Sequence, residues 1–173
     1  TIDREEVEIE QECIRLLALY QPTAVDLRMI CTIIKVNNDL ERIADLASSM
    51  GRAVKNVLIL ELDINRHTEF NQLVQDTLDL LGRTVRMLAA HDADTARRVI
   101  EADQQIDETY HAFVRSVLDT EGERLGGAET AMVMINLAKA FERICDLCTN
   151  IAEDMIFLRT GDIVRHANAF GGE

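Results

Sequence analysis

The sequence predicts an all-α protein built as tandem three-helix bundles, the first of which lacks its first helix. Three observations lead there. No stretch alternates apolar and polar residues with the period of two that a half-buried strand needs, whereas apolar residues recur at i, i+3/i+4 and i+7 along most of the chain. One proline and eight glycines in 173 residues leave long runs uninterrupted, and those runs are rich in Leu, Ala, Glu and Arg, all good helix formers. Finally, Glu41-Arg42-Ile43-Ala44-Asp45 returns as Glu142-Arg143-Ile144-Cys145-Asp146, both carboxylates recurring 101 residues later. The apolar frame matches too: Ile34, Val36, Leu40, Ile43 and Leu46 against Ile135, Leu137, Phe141, Ile144 and Leu147. That period is too long for a solenoid unit and suits a duplicated small domain.

Residues 1–19 read as a helix, broken by Tyr20-Gln21-Pro22 because proline has no N–H to continue the ladder. Thr23-Ala24-Val25-Asp26 has the form of a capping box and opens a helix that runs to about Asn56, with Val36, Leu40, Ile43, Ala47, Met50 and Val54 as its stripe. A connector at 58–67 leads to a third helix over 70–91, carrying Leu73, Val74, Leu78, Leu81, Val85 and Leu88. After a turn at His91–Asp94, a fourth helix over 96–120 presents Val99, Ile106, Tyr110, Phe113 and Val117. A glycine-bearing turn at 121–127 precedes a fifth helix over 131–158, stopped near Gly161. At a 101-residue period, helices four and five repeat helices one and two, and helix three opens the second unit. The expected organisation is a first repeat at 1–60, a second at 68–166 and a tail at 167–173. The helix that should open the first repeat would precede Thr1, so a truncated N-terminus is expected.

The formal charge of −13, from 31 acidic and 18 basic residues, opposes nucleic-acid binding and suits cations or a basic protein partner. Cys13, Cys31, Cys145 and Cys148 fall inside apolar helical patterns and read as small buried hydrophobes. Cys145-x-x-Cys148 lies mid-helix, with no second pair for zinc and no helix N-terminus to lower a thiol pKa. Neither a signal sequence nor an apolar run long enough to span a bilayer is visible, so a cytoplasmic chain without direct membrane insertion is expected.

Each copy of the repeated motif sets Glu and Asp at i and i+4, stacked on one helix face, where like charges cost about 0.2–0.5 kcal/mol. A cation, a basic partner or solvent must offset that cost. The fourth helix adds Asp103 and Asp107 at the same spacing, on the edge of its apolar stripe, where charge is costly unless paired or metal-bound. With Glu142, Asp146 and, along one face through Asn150, Glu153, they make an oxygen-rich site suited to Mg²⁺, Mn²⁺, Ca²⁺ or iron rather than zinc. The alternative is that Arg143 and other arginines pair these acids on a wet surface. The first repeat keeps Glu41 and Asp45. Asp3 aligns with Asp107 across a connection three residues shorter, and Ser49 and Arg52 replace Asn150 and Glu153, so this site is expected to hold cations less well. Glu108-x-x-His111 is a single pair where a ferritin-type di-iron centre needs two. His67, His91 and His166 read as surface or boundary residues. No catalytic triad order, nucleophile elbow or phosphate loop is present, which points away from an enzyme.

Three stretches resemble, in order, the PhoU family of phosphate-uptake regulators. They are Gln21-Pro22-Thr23-Ala24-Val25-Asp26-Leu27-Arg28, then Asn38-Asp39-Leu40 running into Glu41–Asp45, then Glu142–Asp146 with Asn150–Asp154 and Thr160–His166. The likeness covers nearly the whole chain. It implies a cytoplasmic, non-enzymatic protein of tandem three-helix bundles, recruited to the inner face of the membrane by its partners. Those partners are the ATPase subunit of the phosphate ABC transporter and the associated phosphate-sensing histidine kinase, and through them the protein restrains phosphate uptake and the starvation response. A homo-oligomer, in the simplest case a homodimer, is also expected. The resemblance further implies metal ions (Mg, Mn, Fe or Zn), sometimes in multinuclear clusters, at Glu41/Asp45, Asp103/Asp107 and Glu142/Asp146, with Asp3 a remnant of a fourth motif. Leu46 and Leu147 stand where the family often has His, and Ser49 and Arg52 where it has Asn and Glu, which weakens the case for metal in the first repeat. The expected function is a metal-holding helical adaptor. The alternatives are a carboxylate-bridged metal store or redox metalloprotein, and a scaffold whose acids only solvate it.

Overall fold

The structure, a computed structural model, describes residues 1–59, 64, 67–121 and 127–164, and their side chains except at 56–59. Most of the expected connector, the glycine-bearing turn at 122–126 and the tail from 165 onward, His166 included, lie outside the described residues. The described residues form five α-helices: α1 (Ile2–Tyr20), α2 (Ala24–Ile59), α3 (Thr68–Ala90), α4 (Ala93–Glu121) and α5 (Gly127–Thr160). Among the described residues there is no strand.

The helix ends follow local chemistry. Gln21 closes α1 in the left-handed region (φ 45), its N–H donating to the Leu17 carbonyl oxygen. Next to it Ala24 is also left-handed (φ 49), and the Asp26 N–H donates to the Thr23 carbonyl oxygen (3.2 Å). The expected capping box is thus replaced by a backbone turn. Between α3 and α4, His91 takes the left-handed cap (φ 52), and the Asp92 carboxylate accepts the Asp94 and Thr95 N–H groups (2.9 and 3.2 Å), capping α4. α5 stops at Gly161, whose φ of 84 only glycine adopts without strain; its N–H donates to the Phe157 carbonyl oxygen (2.8 Å).

α3, α4 and α5 pack on one another as a three-helix bundle. Phe70 lies edge-on to Phe141 (5.8 Å) and, a turn or two further along both helices, the Cys145 thiol donates to the Thr77 hydroxyl (3.4 Å), so α3 and α5 run parallel. Among the described residues α1 lies mainly on α2, tied by the Asn37 side-chain amide donating to the Glu6 carbonyl oxygen (2.9 Å). α2 then packs along α5. Lys35 meets Asp154 (3.1 Å) and the Phe157 ring, while Arg28 sits beside Gly161. Residue numbers fall along α5 as they rise along α2, so these two helices are antiparallel.

The stripe expected on α4 is the one observed: Val99, Ile106, Phe113 and Val117 are buried, with Tyr110 at the edge. On α3 the expected stripe is only partly the one observed: Leu73 is buried and Val74, Leu81 and Leu88 pack at the edge of the core. Phe70, Leu73, Thr77, Leu80, Thr84 and Met87 face the core, whereas Leu78 and Val85 are exposed. The threonines are tolerated inside because their hydroxyls donate to the Leu73 and Leu80 carbonyl oxygens one turn back (2.7 and 2.9 Å). On α2 only part of the expected stripe is covered: Val36 and Ile43 are buried, Leu40, Ala47 and Val54 open. Cys13, Cys145 and Cys148 are buried free thiols and Cys31 is half-buried. His67 departs from the surface or boundary role expected of it. It is buried, edge-on to Phe113, with Nδ1 2.9 Å from the Ser116 hydroxyl.

Candidate functional site

α4 and α5 bring Asp103, Asp107, Glu142 and Asp146 into one electrostatically coupled group. The i, i+4 spacing puts each pair on one face of its helix, and the packing of α4 on α5 joins the two faces. Asp103 is half-buried. Burial first, then the charges of Asp107 and Asp146, push its carboxyl up to about 6. Glu142 is raised by burial and by Asp146, against the pull of Lys139 and Arg143. Asp146, at the exposed rim, is raised by the partial burial of its side chain and by Asp107, and Arg143 and Lys139 again oppose the shift. The arginine pairing considered from sequence is therefore partial: cations lie near, but the acids still repel one another.

Two oxygens in this group are buried with no hydrogen-bond partner among the described residues, Asp103 Oδ1 and Glu142 Oε2. The Thr149 hydroxyl lies close enough to favour the Asp103 carboxylate but outside hydrogen-bond geometry, and it too is buried and unpartnered. Orphaned buried oxygens of this kind cost roughly 1–3 kcal/mol each and more when charged. A hard cation would satisfy them, so the donor set fits Mg²⁺, Mn²⁺ or iron. As the side chains stand, no three His, Cys, Asp or Glu groups among the described residues converge at coordinating distance, so ion binding requires rotation of these carboxylates.

The equivalent acids of the first repeat also meet. Glu41 is raised by burial and then by Asp45, Glu6 and Asp3, which places the remnant Asp3 in the same group. Glu6 is a member that sequence reasoning missed; nothing in its spacing marks it, because it follows from how α1 lies on α2. This group is the more open one: Asp3 and Asp45 are exposed. Glu153 stands apart from the α4–α5 cluster, about 10 Å along α5 from Asp146 at 1.5 Å per residue, half-buried and already engaged with a partner. Its neighbour Asp154, which the sequence did not single out, is 2 % exposed and paired with Lys35.

The PhoU domain family profile matches residues 1–54 and 70–155. The chain is 38 % identical over 167 residues to a phosphate-specific transport system accessory protein PhoU homolog of Aquifex aeolicus, covering 96 % of this chain and 75 % of that protein. It is 32 % identical over 169 residues to the phosphate-specific transport system accessory protein PhoU of Escherichia coli, covering 93 % and 66 %. Among solved structures, PhoU from Pseudomonas aeruginosa superposes with a TM-score of 0.86 at 32 % identity, over 93 % of this chain and 77 % of that one. The phosphate transport system regulatory protein PhoU from Streptococcus pneumoniae gives 0.78 at 29 % identity, over 94 % and 76 %. The chain thus spans 66 % to 77 % of the length of these relatives.

Proposed function

The chain belongs to the PhoU family, and from that premise we propose that it is a regulatory accessory protein of the phosphate-specific transport system, restraining phosphate uptake and the starvation response. In this reading it acts by docking rather than by catalysis. Its partners are the ATPase subunit of the phosphate transporter and the phosphate-sensing histidine kinase, met at the cytoplasmic face of the membrane. No helix among the described residues is long and apolar enough to cross a membrane, so in this reading the partners bring the protein to it.

The observation that carries the site is the pair of orphaned, buried oxygens on Asp103 and Glu142 inside a group of four acids. In this reading Asp103, Asp107, Glu142 and Asp146 hold a divalent or transition metal ion, which when bound supplies positive charge and nothing more. The acids then cease to repel, and α4 and α5 are held at fixed spacing for a partner to recognise. Elemental mass spectrometry after exhaustive dialysis tests this. The chain should retain metal that is lost on combining Asp103→Asn, Asp107→Asn, Glu142→Gln and Asp146→Asn, and a helical content unchanged in that variant keeps the reading falsifiable. Equal metal in both would sink the site. Capture of the transporter ATPase by the chain tests the docking half separately.

A further inference from the structure

A groove of about 530 Å³ separates α2 from α5, and its lining repeats itself. Arg42 is matched by Arg143, Asp45 by Asp146, Leu46 by Leu147 and Ser49 by Asn150, every pair 101 residues apart. The contacts of Lys35 with Asp154 and of Arg28 with Gly161 set Arg42 level with Leu147 and Leu46 level with Arg143, an exchange that a local two-fold axis between antiparallel helices produces, so the groove lies on the axis that relates the two repeats. One residue breaks the match. Arg52 lines the groove, while its counterpart on α5 is Glu153, which does not. Three guanidinium groups therefore share the groove with two carboxylates, in a chain whose net charge is −13.

These arginines are available. Among the described residues Arg42 is held only by Asp39 at 3.9 Å, and it is half-exposed. Among the described residues, Arg52 and Arg143 have no carboxylate within ion-pairing reach. A guanidinium presents a planar fork of N–H donors that matches two oxygens of a tetrahedral anion, and forks on either side of an axis grip such an anion from both sides. The Ser49 hydroxyl and the Asn150 amide add neutral donors, and Leu46 and Leu147 lower the local dielectric. The volume falls in the range of roughly 300–1,000 Å³ typical of small-molecule sites.

We propose that this inter-repeat groove binds a tetrahedral phosphate dianion, free or as the phosphate of a small phosphomonoester, through Arg42, Arg143 and Arg52. The inference stands on the groove and its arginines and needs neither the metal nor the docking partners proposed above. Asp45 and Asp146 oppose the anion, so affinity is modest and falls with added salt.

The test is isothermal titration of the whole chain, stripped of metal with a chelator, at neutral pH and low salt, with inorganic phosphate in one arm and ribose 5-phosphate in the other. Saturable one-to-one binding is expected. Arg143→Gln and Arg42→Gln should each weaken it about tenfold or more, the worth of a charge-assisted hydrogen bond. Asp45→Asn should tighten it, and Arg97→Gln on the outer start of α4 should leave it unchanged. Tighter binding of the ester than of phosphate identifies a phosphate group on a larger ligand, and the reverse identifies the free ion. No saturable binding in either arm, binding only after magnesium is added, or full affinity in folded Arg143→Gln overturns the proposal.

Discussion

Met134, Phe141, Cys148 and Met155 on α5 occupy the same places in the repeat as Ile33, Leu40, Ala47 and Val54 on α2, each set spaced by heptads. On α5, Phe141 meets Phe70 of α3, and Met134, Cys148 and Met155 are all but inaccessible. On α2 all four positions are open, Val54 at 42 %. The same apolar periodicity is core in one repeat and surface in the other. The cause is topological: α3 covers α5, while among the described residues α2 packs mainly on α1 and α5. Hydrophobic pattern selects the face that wants to be buried; a third helix decides whether it is.

The sharpest way to break this contrast is by truncation at equivalent positions. Met155→Ala should lower the unfolding free energy by about 2–5 kcal/mol through transfer and cavity costs, and Val54→Ala by less than about 1 kcal/mol. Ile43→Ala and Ile144→Ala, both buried in their own repeats, should cost alike, within about 1 kcal/mol. Urea midpoints at constant slope read all four. A Val54→Ala as costly as Met155→Ala would mean that the open face of α2 is covered in solution, as a homodimer would do.

A second asymmetry lies across the antiparallel α2–α5 contact. Lys35 reaches the buried Asp154, yet the symmetry-related positions hold Asn136 and Ala53, which cannot form a salt bridge. Lys35→Met removes one partner of the buried Asp154 carboxylate and should cost about 1–3 kcal/mol, less than for a fully buried pair because the Lys35 side chain is 46 % exposed. Asn136→Ala should be close to silent. Equal effects would show that the pair is replaced by solvent.

Lys35–Asp154 also marks where reading the sequence stops. An acid such as Asp154 carries no sign of burial when its partner is 119 residues away. The centre of the buried face of α3 is hidden for a related reason: Thr77 and Thr84 count as polar in any hydropathy pattern, yet each satisfies its hydroxyl on its own helix. The acid clusters were legible because i, i+4 spacing and an exact repeat are local properties. The Arg42–Arg143 groove was not, since it needs α2 and α5 to run antiparallel, and Glu6 joins its cluster only through the packing of α1 on α2.

The two acid clusters should titrate differently. Asp103 has its folded pKa raised from 3.8 to about 6, so the native state holds its proton more tightly than the unfolded chain does. The stability this confers is complete below pH 3.8 and is lost as pH rises through about 6. Discounted for partial exposure, the loss is about 1–2 kcal/mol, and Glu142 and Asp146 add to it with the same sign. Chelator-treated protein should therefore fall in Tm across that window. Asp103→Asn should flatten the fall, whereas Asp3→Asn, in the open cluster, should leave it in place. A profile unchanged by Asp103→Asn would remove the α4–α5 group as the source.

The smallest expected effect separates helix propensity from packing. Gly51 lies inside α2 and Gly82 inside α3, and a glycine in a helix interior costs about 0.5–1 kcal/mol relative to alanine. A Cβ at Gly51 would meet nothing within 4 Å, and one at Gly82 would lie 3.4 Å from the Arg86 guanidinium, the movable end of a flexible side chain. Gly51→Ala and Gly82→Ala should thus both stabilise by about 0.5–1 kcal/mol, although their helices differ in burial. That equality is informative because backbone entropy is blind to tertiary cover. If Gly82→Ala stabilises and Gly51→Ala destabilises, something approaches the α2 backbone too closely for a methyl group. The open face would then be closed by a second chain in solution, and the contrast between the repeats would belong to the isolated protomer alone.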